Sequence, residues 1–217
     1  MSMKTVSARQ LLITFIPSIS ILVAMVVRVL FKVSMAAMTR DVTAIANIHP
    51  FSGILSNLGI LLWCAAASIC AFGAMILRNV KPRDTFWFLL SSALLSAYLL
   101  FDDFFLFHED LASRYLGLDE NVVFAALGIA VSAYLIAFRR VILRTTFGVL
   151  LLALGFLATS VVIDAILDPL WLWRLGDWEY FFEDGAKWLG IASWCSYYVH
   201  TSHQLLVSTF VLPNNTI

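Results

Sequence analysis

The sequence carries little charge for its length. Asp, Glu, Lys and Arg make up 13% of its 217 residues, whereas the apolar set AVILMFWYC makes up 61%. A soluble globular chain has about 25% charged residues, so this chain lacks the charge needed to cover a surface that faces water. Its mean hydropathy is +0.90. The composition excludes an ordinary soluble domain and predicts a membrane protein.

The sequence also lacks a surplus of basic charge, and it has few cysteines. Fourteen Lys and Arg balance fourteen Asp and Glu, so the formal net charge is zero. This excludes a nucleic-acid partner, which would require a basic surplus. The three cysteines, Cys64, Cys70 and Cys195, lie in apolar runs and cannot form a closed set of pairs. We expect buried thiols and no disulfide framework.

Long apolar runs are what the sequence has in abundance. A helix needs about 20 residues to cross a hydrocarbon core, and no run shows the alternation of a barrel strand, so helices are the predicted spanning unit. We predict an all-α integral membrane protein, with residues 1–217 forming a single domain that is a bundle of about six transmembrane helices. The six predicted spans are Leu11–Phe31, Phe51–Leu77, Thr85–Phe107, Asn121–Phe138, Thr145–Ala165 and Ala186–Leu206.

Three segments outside these spans have features of their own. Asp168–Asp184 is aromatic but charged, which favours an interfacial or re-entrant segment before the last helix. The connection Val33–Pro50 is long enough for a short helix at the outer surface. Lys4 and Arg9 precede the first apolar run as they would in a signal peptide. That run exceeds the usual length of a signal peptide's apolar core, which favours an uncleaved helix over a cleaved one.

The loop charges predict the orientation in the membrane, because short cytoplasmic loops are enriched in Lys and Arg. With the N-terminus inside, the predicted inner segments hold eight of the fourteen basic residues and one acidic residue, Asp84. This predicts a multi-pass protein with both termini in the cytoplasm, in a bacterial inner membrane or an equivalent one. The eight basic residues are Lys4, Arg9, Arg78, Lys81, Arg83, Arg139, Arg140 and Arg144.

Ionisable side chains collect at the outer end of the third predicted span. Such groups are costly inside the hydrocarbon region and by default mark a functional site. Asp102 and Asp103 lie in aromatic sequence there, followed by His108, Glu109 and Asp110. Asp102 and Glu109 are seven residues apart, as are Asp103 and Asp110, so we expect each pair to lie on nearly one helix face. The alternative is that these acids are interfacial anchors, solvated at headgroup depth.

Other spans bring acids to the same predicted depth. Asp164 lies near the outer end of the fifth span, and Glu183 and Asp184 lie at the opening of the sixth. Lys187 is three or four residues further on, so we expect it to pair with these acids on its own helix. We also expect a carboxylate of this group, or of the third span, within hydrogen-bond or shared-metal reach of His108.

A histidine among carboxylates suits a cation. Imidazole is a ligand of zinc and other transition metals, and carboxylates suit harder ions. The sequence has no HExxH, Cys-pair or EF-hand motif, and two close carboxylates also share protons, so a proton-linked role is equally open. We predict an outer-leaflet site, with a divalent metal ion, zinc above all, as the cofactor. The predicted metal ligands are His108, Asp103, Asp164 and Glu109, and the predicted catalytic residues are Asp102, Asp103 and Glu183.

Two further histidines, His200 and His203, share a face of the last predicted helix. They suit either a metal or haem position in the inner leaflet or a hydrogen-bonded pair near the cytoplasmic end. No carboxylate on a neighbouring helix is expected at that depth, which favours the hydrogen-bonded pair.

Part of the chain resembles a known family of membrane hydrolases. The resemblance is carried by Ser56-Asn57 at the start of an early helix, by His108 and by the acidic pair Asp119-Glu120. Over residues 50–135 this arrangement resembles the alkaline-ceramidase-type membrane hydrolases, in which a late helix supplies two more histidines to zinc. This sequence departs from that pattern, since residues 183–187 read Glu-Asp-Gly-Ala-Lys, with no HxxxH. The resemblance supports a histidine–carboxylate site that activates water.

Three functions follow as hypotheses. The first is a metal-dependent hydrolase of a lipid or another membrane substrate, because a bound cation lowers the pKa of its water. The second is a proton- or cation-coupled transporter that uses the acidic cluster as its binding site. The third is a non-catalytic subunit of a membrane complex, for which other subunits would be partners in addition to membrane lipids.

Overall fold

The computed structural model describes residues 19–80, 82–167, 174 and 178–210, although not the side chains of Ala165, Ile166 and Glu179. Within these ranges the chain forms helices and no strand. It divides between Ser52 and Gly53 into two compact units. The predicted all-helical class is therefore confirmed for the described residues.

In its described part, residues 19–52, the first unit contains three short helices: α1 (Ile19–Phe31), α2 (Met35–Thr39) and α3 (Val42–Ala46). Helix α3 begins after Asp41, whose side chain accepts hydrogen bonds from the backbone N–H groups of Thr43 and Ala44 in the first turn. Helices α2 and α3 lie in the connection where one short helix was expected. Helix α1 covers the second part of the first predicted span, whose residues 11–18 lie outside the described ranges.

The second unit is built from long helices that alternate in direction. Its described elements are α4 (Ile54–Leu77), α5 (Arg83–Phe105), a π-helix (Phe107–Leu116), α6 (Glu120–Ile142), α7 (Phe147–Val162), a second π-helix (Ile163–Leu167) and α8 (Trp178–Phe210). Helix α8 packs against α7 and α4, and α5 packs against α4. Short connections join α4 to α5 and α6 to α7 at one end, which we call the basic end, and α5 is joined to α6 at the other, the acidic end.

Three helices within the described ranges are long and apolar enough to cross a membrane: α4, α5 and α6. Helix α7 is apolar but has 16 residues. Helix α8 has 33 residues and contains the whole sixth predicted span. The structure is thus compatible with a membrane protein.

The segment predicted to be interfacial or re-entrant lies partly outside the described ranges, which omit residues 168–173 and 175–177. Its last part, from Trp178, forms the first two turns of α8 and is continuous with the sixth predicted span. The side chains of Trp178 and Tyr180 are exposed.

Helices α7 and α8 approach each other closely at Gly190. A Cβ atom built on Gly190 would lie 2.7 Å from Cγ and 3.0 Å from the backbone nitrogen of Leu157. Small residues in membrane-type bundles allow such backbone approach and the dispersion contacts that accompany it. The absence of a side chain at this position sets the distance between α7 and α8.

The core of the second unit is aromatic and contains buried hydrogen bonds. Tyr134 in α6 hydrogen-bonds Ser92 of α5 at 2.7 Å and Tyr198 of α8 at 2.8 Å. Trp194 donates to Ser96 at 2.9 Å. These bonds satisfy polar groups that would be costly to bury unpaired, and they connect three helices.

The cysteines differ in burial. All three are free thiols, and Cys70 and Cys195 are buried as expected. Cys64 is exposed, so the prediction of burial is wrong for this residue. It lies on α4 beside Leu61 and Phe101, where an apolar run faces the outside of the unit, and a position in an apolar run does not by itself decide between the core and an outward apolar face.

Candidate functional site

A cavity of about 520 Å³ opens at the acidic end of the second unit. Side chains from α4, α5, both π-helices, α6, α7 and α8 line it, and we call it the acidic cavity. Every residue that the sequence analysis proposed for the site lines this cavity, so residues from three separate stretches of the chain lie around one space. The lining includes Asp102, Asp103, His108, Glu109, Glu120, Asp164, Glu183, Asp184 and Lys187.

A backbone reversal at Leu106 builds the first wall. Helix α5 ends at Phe105, and Leu106 adopts the left-handed conformation, with φ of 51°. A side chain disfavours this conformation. The following residues form a π-helix, a form that occurs frequently at functional sites. The expectation that Asp102 and Glu109 share a face of one continuous helix is therefore wrong, because α5 has already ended between them.

The reversal brings His108 back onto Asp102. The carboxylate accepts the backbone N–H of His108 at 3.1 Å, and its second oxygen lies 2.7 Å from Nδ1 of the ring. Both residues are buried, with exposed fractions of 5% for Asp102 and 8% for His108. The ring of Phe124 on α6 lies 4.9 Å from the imidazole, centroid to centroid. The expected carboxylate contact is thus present, but its carboxylate comes from the end of the preceding helix.

Asp102 controls the chemistry of the imidazole. Burial lowers the pKa of His108, but the hydrogen bond to Asp102 and its negative charge outweigh burial, so the pKa is raised. Because Nδ1 faces Asp102, Nε2 is the nitrogen left for other groups, and it lies 3.6 Å from Oε1 of Glu109. A carboxylate that fixes the tautomer in this way raises the basicity of the ring.

Asp103 is held by two partners from other helices. Trp63 of α4 donates its indole N–H to Oδ2 at 2.7 Å, and Nζ of Lys187 on α8 lies 2.9 Å from Oδ1. The prediction that Lys187 pairs with Glu183 or Asp184 is wrong. The lysine side chain instead spans the gap to α5, where the more buried carboxylate requires a counter-charge.

The remaining acids around the cavity have no such partner among the described residues. Glu109, Glu120, Asp164, Glu183 and Asp184 form no ion pair with Lys or Arg there. Glu183 precedes the apolar stretch of α8, and burial together with the nearby charges of Asp164 and Asp184 raises its pKa to about 7. The cavity therefore combines seven carboxyl groups with one lysine and one histidine, both of which are already paired.

The predicted metal ligands, His108, Asp103, Asp164 and Glu109, all line the acidic cavity. Among the described residues, no group of three or more His, Cys, Asp or Glu side chains is arranged to hold a metal ion. Asp103 and Nδ1 of His108 already have hydrogen-bonding partners. The zinc site remains a prediction, and this geometry adds nothing in its favour.

The comparison with known proteins places the chain in a family. A family model described as a domain of unknown function, DUF8692, matches residues 16–201. The chain belongs to the DUF8692 family. No curated protein and no solved structure matches it. The matched range includes every residue that lines the acidic cavity.

Sequence reasoning missed several lining residues. Trp63 lies within an apolar predicted span, and nothing in its sequence neighbourhood indicates a polar partner forty residues away. Glu120 stands out in the sequence only as part of the acidic pair Asp119-Glu120, although it opens α6 at the same end as the other acids. Ser56 and Asn57 are not among the lining residues. His200 is exposed, and His203 lies at the basic end.

Proposed function

We propose that this DUF8692 protein is a multi-pass membrane protein that binds a cation in the acidic cavity. The observation that carries the proposal is the charge around that space: seven carboxyl groups face one lysine and one histidine, and both basic groups are already paired. A cleft lined by one sign of charge between low-dielectric walls concentrates ions of the opposite sign.

The dimensions of the cavity favour a particular kind of cation. A volume of about 520 Å³ lies within the range of small-molecule sites, and a dehydrated metal ion needs several ligands within a few ångströms. The acids line the space from several helices, and among the described residues no three of them are arranged to hold one metal ion. We therefore favour a small organic cation with a protonated amine over a bare divalent ion.

Binding by purified protein tests this proposal. Isothermal titration in detergent would use an aliphatic diamine, zinc chloride and magnesium chloride as separate probes. The change Glu109→Gln removes a charge that lines the cavity, whereas Asp110→Asn removes the neighbouring acid, which is paired with Arg114 at 2.8 Å and does not line it. At several ångströms and intermediate dielectric, one charge contributes about 1 kcal/mol, or about fivefold in affinity.

We expect diamine binding that is weakened by Glu109→Gln and unchanged by Asp110→Asn. Zinc binding with the same dependence would instead favour the metal site predicted from the sequence. Equal affinities in all three proteins, or no binding of any probe, would overturn the proposal of a cation site in this cavity.

Hydrolysis of a lipid or another membrane substrate is a second candidate. The His108–Asp102 pair favours it, since a tautomer fixed at Nδ1 leaves Nε2 as a base for water. In this case Asp102→Asn should lower the rate at which the protein hydrolyses a panel of lipid esters and amides, while the variant remains folded like the wild type. Glu109→Gln would have a smaller effect, because Glu109 does not fix the tautomer.

We also propose six crossings with both termini in the cytoplasm of a bacterial inner membrane or an equivalent one. The basic end supports this orientation, since Arg78, Arg83, Arg139, Arg140 and Arg144 all lie there, and basic residues favour the cytoplasmic side. Reporter fusions after Arg140 and after Asp177 should report opposite sides of the membrane. Reports from the same side would show that the assignment of spans is wrong.

A further inference from the structure

A second cavity, of about 560 Å³, opens at the basic end, opposite the acidic cavity. We call it the basic cavity. It lies between the start of α5, the end of α6 and the last turns of α8. Its polar lining includes Arg140, Arg144, His203, Gln204, Ser208 and Asp84, the one acid among the lining residues that the structure describes.

The end of α6 places both arginines at this cavity. Arg140 lies in the last turn of the helix, and Arg144 follows four residues later, where its backbone N–H bonds to the carbonyl of Val141 at 3.0 Å. The wall beside them is fixed by Thr145, whose hydroxyl donates to the carbonyl of Ile142 at 2.7 Å and lies 2.9 Å from the hydroxyl of Tyr197 on α8. The backbone that carries both arginines is thus joined to α8 beside the cavity.

Neither arginine is neutralised within the part of the chain that the structure describes. Arg140 and Arg144 form no ion pair and no side-chain hydrogen bond there, although Asp84 lines the same cavity. Arg114 at the acidic end, by contrast, pairs with Asp110 at 2.8 Å. The planar fork of guanidinium donors matches the oxygens of phosphate and binds them in pairs.

We propose that the basic cavity binds an anionic phosphate group. The two arginines supply the charge and the paired donors, while Gln204 supplies a neutral amide donor from α8. His203 adds an imidazole beside them, which gives a role to one member of the histidine pair on α8. The phosphate comes either from the headgroup of a phospholipid or from a soluble phosphate ester. This site is independent of the proposed cation site.

Binding by the full-length protein in detergent tests the proposal. The lipid arm compares phosphatidylglycerol with diacylglycerol of the same chains, which lacks the phosphate, and measures bound lipid by native mass spectrometry. The soluble arm measures binding of glycerol phosphate by isothermal titration, with sodium chloride at equal ionic strength as the blank. The double change Arg140→Gln with Arg144→Gln removes the forks, and Arg78→Gln is the matched control at the same end, outside the cavity lining.

We expect the double variant to bind the phosphate probe at least about tenfold more weakly than wild type, since two charge-assisted pairs are lost, and Arg78→Gln to bind as wild type does. Binding of phosphatidylglycerol alone assigns the site to a lipid headgroup, and binding of glycerol phosphate assigns it to a soluble ester.

Two results would overturn the inference. One is that the wild-type protein retains phosphatidylglycerol no better than diacylglycerol and shows no binding of glycerol phosphate in the titration. This result needs no variant. The other is a folded double variant with unchanged affinity. If the double variant does not fold, Arg144→Lys retains the charge and loses the fork, so unchanged affinity in that variant would count equally against it.

Discussion

Replacement of Gly190 by alanine should destabilise the contact between α7 and α8. The added Cβ atom would lie 2.7 Å and 2.9 Å from side-chain atoms of Leu157 and 3.0 Å from its backbone nitrogen. A side chain relieves such a clash by changing rotamer, but a backbone nitrogen moves only with its helix. The two helices must therefore separate, and the walls of the acidic cavity that carry Asp164 and Glu183 separate with them.

The size of the effect follows from two opposing contributions. In a helix interior, alanine is more favourable than glycine by about 1 kcal/mol. Overpacking a close contact costs about 1–3 kcal/mol, and the backbone clash favours the upper part of that range. Gly185 on the same helix supplies the control, because a Cβ there meets nothing within 4 Å. Gly185→Ala gains the helix propensity of alanine without the clash, so the free energies of unfolding of the two variants should differ by about 2–3 kcal/mol.

Thermal unfolding in one detergent, followed by circular dichroism, measures this difference. For a chain of this size, 1 kcal/mol corresponds to about 2–4 °C in Tm, so Gly190→Ala should melt about 4–12 °C below Gly185→Ala. Equal melting temperatures for the two variants would refute the close approach of α7 and α8 at this position.

Two further predictions concern the acidic cavity. Asp102→Asn should lower the pKa of His108 measured by NMR, because the carboxylate is what raises it. In wild type, the attraction between protonated His108 and Asp102 is present only in the folded state. The free energy of unfolding should therefore fall as the pH rises from 6.5, the ordinary pKa of histidine, through the raised pKa of His108. This fall should be smaller in Asp102→Asn. Lys187→Met and Asp103→Asn should be coupled in a double-mutant cycle by about 1–2 kcal/mol, less than for a fully buried pair because the lysine is 32% exposed; additive effects would show that the ion pair contributes nothing.

The fold could be predicted where apolar runs are long and uniform. Helices α4, α5 and α6 begin and end close to the predicted spans, because length and composition alone decide such helices. The turn that follows α5 could not be predicted. Leu106 reverses the chain with a left-handed backbone, and leucine is not a residue that signals this conformation.

The candidate site could be predicted in position but not in pairing. Ionisable groups in apolar surroundings indicate a site by their cost, which is why Asp102, Asp103 and Asp164 stood out in the sequence. Which group bonds to which depends on helix rotation and on spacing between neighbours, neither of which is encoded in a local pattern. The local spacing predicts that Lys187 pairs with acids on its own helix, whereas it pairs with Asp103 on α5.

The indole of Trp63 makes the acidic cavity visible to spectroscopy. Its N–H donates to Asp103 at 2.7 Å, and the emission of an indole depends on the electric field and the hydrogen bond at that group. The ring also lies 5.6 Å from the ring of Trp194, so excitation energy passes readily between the two. Any event in the cavity that draws Lys187 away from Asp103 changes the field at a fluorophore in the core. The protein thus contains an intrinsic optical probe of the charge at its acidic end.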